Sequence, residues 1–215
     1  MKNNKIALVA ALALGATILG GCAKKPAVES PTPPPPSAPV TEPSAPAVSQ
    51  KPETDATAKE FTLNLEGKEE KVSMDIAQLD FSAAGGPKLS IYVDNSRYSL
   101  ASLEGLYTIV PSNSGENSTY AQITFNPGKT ADEMTNTMLT TTGAEYSLND
   151  LGKQDINGLS ARSVEGSMTS GNTMRAFYID TDGGCIAIDI RAAAEAGEGH
   201  GARLVLSAQS IAAAK

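Results

Sequence analysis

Ten of the thirteen prolines lie between Pro26 and Pro52, and Pro33 to Pro36 are consecutive. Each proline removes an amide donor and fixes φ, so neither a helix nor an interior strand survives that density. With Ser, Thr, Ala and Val filling the gaps, the segment predicts a disordered, partly polyproline linker, extended at ~3.1 Å per residue. Any fold is thereby confined to residues 60–215, a length that suits one domain and can bury ~70% of its unfolded surface.

Ahead of the linker, Lys2 and Lys5 precede thirteen apolar or small residues, Ile6 to Ile18. A permanent membrane helix needs ~20 apolar residues, so residues 1–21 read as a cleavable export signal. The run closes on Leu19-Gly20-Gly21-Cys22, which resembles the lipobox of bacterial lipoproteins. That resemblance implies a diacylglycerated Cys22 thiol, cleavage just before it, and often a further acyl chain such as palmitate on the new amino terminus. Cys22 is then the lipid-attachment site, and residues 22–59 are the linker. The protein is expected at the cell membrane, facing the extracytoplasmic side. Two acyl chains at ~0.8 kcal/mol per buried methylene anchor a protein stably. Pro-x-x-Pro segments can serve as docking ligands, but behind a lipid anchor a spacer is the simpler reading.

Removing residues 1–21 takes away two lysines and no acids, leaving 15 basic against 24 acidic residues, a net charge of −9. Such a surface repels nucleic acid and anionic headgroups. Lys24 and Lys25, next to the anchor, are the exception: they read equally as solvated tail charges or as contacts with an anionic leaflet, where each could gain ~1 kcal/mol. With Cys22 committed to lipid, Cys185 has no intrachain partner, so the domain holds without a disulfide. No Trp and only four Phe make the core aliphatic.

Strict alternation predicts strands. Phe61, Leu63 and Leu65 share a face, Gly67 marks a turn, and Val72, Met74 and Ile76 share a face, a hairpin pattern. Leu89, Ile91 and Val93 follow; then Tyr107 to Val110, stopped by Pro111; then Ala121, Ile123 and Phe125. The period changes where Thr130 and Glu133 make a capping box, Ala131, Met134 and Met138 share a helical face, and Gly143 is placed to end the helix. Asn157-Gly158 and Asp182-Gly183-Gly184 are type I′ hairpin signals. The second joins Thr173–Asp180 to Cys185–Arg191, with Phe177 and Ile179 on the face of Ile186, Ile188 and Ile190. A final helix over 201–213 puts Leu204, Ala208 and Ile211 on one stripe able to cover that face. The class is α+β, a mainly antiparallel sheet flanked by two helices.

This order, carried by Ile156-Asn157-Gly158, Phe177-Tyr178-Ile179, Cys185-Ile186-Ala187-Ile188 and the closing helix, resembles the PsbP-like family of small exported proteins over about Tyr107 to Ile211. The chain departs from that pattern in lacking Trp and in adding strands before residue 94. The resemblance implies an accessory, protein-binding role without catalysis, and it transfers no functional residue.

Three constellations suggest sharper chemistry. Gly197-x-Gly199-x-x-Ala202 fits a dinucleotide fingerprint, but no second parallel strand with its acidic residue can follow before Lys215, so it reads as a flexible loop into the last helix. Cys185 and His200 could form a thiolate and base, yet Asp182 and Asp189 would raise the thiol pKa, and a cysteine beside Ile186 reads as core. His200, flanked by glycines, reads as exposed. Asp180-Thr181-Asp182-Gly183 resembles the start of a calcium loop, but the glutamate due six residues after the glycine is Asp189, and turn chemistry explains these residues without metal.

The expectation is therefore a lipid-anchored, extracytoplasmic accessory or binding protein with no catalytic, cofactor or metal residues. Its partners would be the membrane, through the anchor, and another envelope protein or ligand, with no nucleic acid. The alternative is a cell-envelope enzyme whose site assembles from scattered Asp, Glu, Ser and Thr. A two-lobed solute-binding protein would need more chain.

Overall fold

The computed structural model describes residues 58–113, 118–143 and 145–214. The export signal, Cys22, Lys24, Lys25 and linker residues 26–57 lie outside the described residues, while Lys59, the last residue of the expected linker, opens the first strand.

Strands β1 (Lys59–Leu65) and β2 (Lys68–Asp80) form the expected hairpin, closed by Glu66 and Gly67, both at positive φ. In β2, Lys68–Met74 pairs with β1, and Asp75–Asp80 pairs with β3 (Lys88–Val93). Burial switches phase between the halves: Val72 and Met74 pack in one cluster, Leu79 in another. A small sheet ordered β1-β2-β3-β11 results, where β11 is Ala212–Ala213. The second sheet is antiparallel and built from β4 (Tyr98–Leu103), β5 (Leu106–Pro111), β6 (Tyr120–Pro127), β7 (Ser147–Ile156), β8 (Leu159–Ser167), β9 (Thr173–Thr181) and β10 (Gly184–Ala192). Its order is β4-β5-β6-β10-β9-β8-β7. Helices α1 (Ala131–Thr141) and α2 (Ala202–Gln209) complete the described fold.

Alternation along β9 and β10 makes three layers. Ile186, Ile188, Ile190, Phe177 and Ile179 face the small sheet and α2, meeting Leu89, Ile91, Leu204, Ala208 and Ile211. On the other face Cys185, Ala187, Ala176, Tyr178 and Val164 are buried with Ala131 of α1, and Met134 and Met138 pack against them. Each fully buried Ile or Phe contributes roughly 1.5–3 kcal/mol of transfer free energy. The capping box forms as the residues dictate: Thr130 Oγ1 accepts from the Glu133 amide at 3.2 Å, and Glu133 accepts from the Thr130 amide at 3.0 Å.

Two expectations are corrected, and one strand was not foreseen. The last helix ends at Gln209, not at 213. Ser210 stops it, its hydroxyl donating to the Ser207 carbonyl at 2.6 Å and accepting from the Tyr92 amide at 2.8 Å, so Ala212 and Ala213 are free to pair with Ser90 and Leu89. The Asp182-Gly183 turn forms where expected, but only Gly183 takes a positive φ, so it is not type I′; Asn157-Gly158, with φ of 52° and 84°, has both residues left-handed as that type requires. Strand β4 carried no sequence signal strong enough to find it: Tyr-Ser-Leu-Ala-Ser-Leu lies at the sheet's edge with four of its six residues exposed.

Candidate functional site

The small sheet and α2 leave part of the large sheet open, and a groove of about 680 Å³ runs there. Strand register builds its floor. Asn149, Glu165, Arg175 and Ile190 line up in one row across β7, β8, β9 and β10, with Ser147, Ser167, Thr173 and Ala192 in the next on the same face. Ala202, Val205 and Leu206 of α2 form an apolar wall, and Thr62 and Leu63 of β1 close the groove. The site thus sets hydroxyls, amides and one ion pair against a hydrocarbon side.

Arg175 is held by two contacts and keeps one donor unused. Its Nη1 donates to the Glu165 carboxylate, its guanidinium lies 5.4 Å from the Phe177 ring centroid, and its Nε is buried without a hydrogen-bond partner. The two charges neutralise each other, so the floor is polar but uncharged overall. Its cation and anion are already paired, which suits binding a neutral polar group better than activating a nucleophile.

Beside the α2 amino end lies a second cluster that the sequence did not reveal. Arg203, 5% exposed, donates to Glu70 at 2.5 Å and to the Gly199 carbonyl at 3.2 Å, and Glu70 also faces Arg97 at 3.9 Å. His200 is not an exposed loop residue: its Nδ1 is 2.8 Å from the Tyr98 hydroxyl, and the rings meet edge to face. Burial, then the charges of Arg203 and Arg97, hold its pKa below the ordinary value, and burial pushes the Tyr98 phenol up to about 12. Only the fold brings these residues together, since Glu70 and Arg203 are 133 positions apart.

The sequence motifs resolve into structural roles. Cys185 is fully buried beneath α1, and burial, reinforced by Asp180 and Asp189, pushes its thiol up to about 12. The structure does not pair it with His200, whose partner Tyr98 packs on the opposite face of the sheet. Gly197–Gly201 is not a loop but a π-helical turn leading directly into α2. Asp180 accepts from the Ala131 amide at 2.7 Å, capping α1, while the Thr181 hydroxyl donates to the Gly184 carbonyl at 3.0 Å. Asp189 lies on β10 beneath the Tyr178 hydroxyl, and burial raises its pKa. Among the described residues no helix is long and apolar enough to cross a membrane.

No protein-family model matches the chain, and no curated protein matches it. Among solved structures it is similar to the solution structure of cyanobacterial PsbP (CyanoP) from Synechocystis sp. PCC 6803, at 11% identity and a TM-score of 0.46, over 65% of this chain and 92% of that one.

Proposed function

We propose that this protein is a lipid-anchored, extracytoplasmic accessory protein that binds a ligand or an envelope partner in the groove and carries out no catalysis. The groove carries the reading: at about 680 Å³ it falls within the ~300–1,000 Å³ typical of binding sites, and it pairs an apolar wall with a few oriented polar groups. The state of the titratable groups supports it. The thiol of Cys185 is buried and kept protonated, and the histidine is turned onto Tyr98. The lipobox-like Leu19-Gly20-Gly21-Cys22 and the Pro-rich spacer behind it supply the tether and its reach.

Metabolic labelling with radioactive palmitate tests the anchor. The full precursor in a bacterial host should take up label and lose residues 1–21, whereas Cys22→Ala should remain an unlabelled precursor. Label retained on Cys22→Ala, or absent from the wild type, would contradict the proposal.

A further inference from the structure

Resting on that reading, we infer that the groove takes an extended peptide, which adds as a strand to the free edge of β1. Among the described residues β1 ends its sheet and pairs with β2 alone. Thr62 and Leu63 are successive residues, so their side chains point to opposite faces of the strand, yet both line the groove. What borders the groove is therefore the edge of β1, not a face.

Hydrogen-bond phase sets what that edge offers. The β1–β2 loop is the two-residue Glu66-Gly67 turn, with both φ positive, so the closing pair Leu65 and Lys68 is hydrogen-bonded, as are Leu63 with Glu70 and Phe61 with Val72. Thr62, paired with Lys71, turns its amide and carbonyl the other way, toward the groove. An unpaired donor and acceptor on an exposed edge are what an added strand uses. The opposite floor supplies hydroxyl and amide partners for alternate side chains from Ser147, Asn149, Ser167 and Thr173, while Val205 and Leu206 receive apolar ones. None of the lining residues is aromatic, so the ring stacking that holds a sugar face is missing, which favours a peptide over an oligosaccharide.

The test uses the mature chain on liposomes, probed with a phage-displayed random dodecapeptide library and a panel of neutral oligosaccharides. Thr62→Pro removes the outward amide without breaking a bond to β2. Ser102→Pro does the same on the edge of β4, away from the groove, since its Glu104-Gly105 turn sets the same phase. Selected peptides should bind Thr62→Pro at least tenfold more weakly than the wild type, bind Ser102→Pro as well as the wild type, and slow hydrogen exchange at the Thr62 amide. The exchange measurement, made on the wild type, stands even if Thr62→Pro fails to fold. Peptides that bind without protecting that amide, or oligosaccharides that bind in the groove instead, would overturn strand addition while leaving groove binding intact. If neither class binds, strand addition is overturned, and loss of cellular function in Val205→Arg then decides separately whether the groove binds anything.

Discussion

Arg175 on β9 lies directly across from Glu165 on β8, and its guanidinium donates to that carboxylate at the centre of the groove floor. The pair is partly wet, with Glu165 44% exposed, so water screens it and its coupling should be about 1 kcal/mol, not the several expected of a buried pair. A double-mutant cycle with Arg175→Ala and Glu165→Ala, read by urea unfolding, should return that coupling. Additive effects would contradict that coupling and show that the pair contributes no net stability.

Cys185 should behave as an inert core residue. Its thiol, held near 12 by burial, has almost no thiolate at neutral pH. Cys185→Ala should cost about 1 kcal/mol, and a thiol reagent should label the native protein only as fast as it unfolds.

At the α1 amino terminus, Asp180 reaches from β9 to the Ala131 amide, beside the Thr130–Glu133 capping box. Asp180→Ala should destabilise the protein by about 1 kcal/mol, whereas Asp180→Asn, which keeps the acceptor, should cost less. Equal losses from the two would assign the effect to charge rather than to the cap.

Much of this was legible in the sequence. Alternation in β1, β3, β6, β9 and β10 marked the face that carries the larger apolar side chains, although β9 and β10 are buried on their second face as well, under α1. The capping box and Asn157-Gly158 are local chemistry that tertiary structure had no reason to override. What escaped depends on partners distant in the chain. Strand β4 has weak propensity and is held by its hairpin with β5, and β11 forms only because α2 delivers Ala212 beside β3. The groove was illegible for the same reason. Asn149, Glu165 and Arg175 become neighbours only through register, and a bulge between Asp150 and Gly152 shifts the register of β7.

Asp189 gives stability a pH dependence of known sign. Burial raises its carboxyl above the ordinary 3.8, so the folded state holds more protons than the unfolded one, and its contribution falls as pH rises from 3.8 through the raised folded value. Asp189→Asn, which can still accept from Tyr178, should melt higher than the wild type at pH 7, with the gap closing below pH 3.8. A difference independent of pH would contradict the buried-carboxylate assignment.

His200 can be followed by NMR titration. Its pKa should lie below 6.5, and Arg97→Gln should raise it by removing one of the two nearby cations. No change in Arg97→Gln would leave burial and Arg203 as the whole cause.

The central proposal, a tethered binder and not an enzyme on a leash, is tested most directly by shortening Pro26–Pro52 in steps while keeping Cys22 and constant surface abundance. Once the tether is shorter than the span to its partner, the effective concentration drops toward zero, so rescue of a deletion phenotype should fail below a threshold length although the isolated fold is unchanged. Rescue independent of linker length would contradict membrane-distal binding and favour turnover of a diffusible substrate.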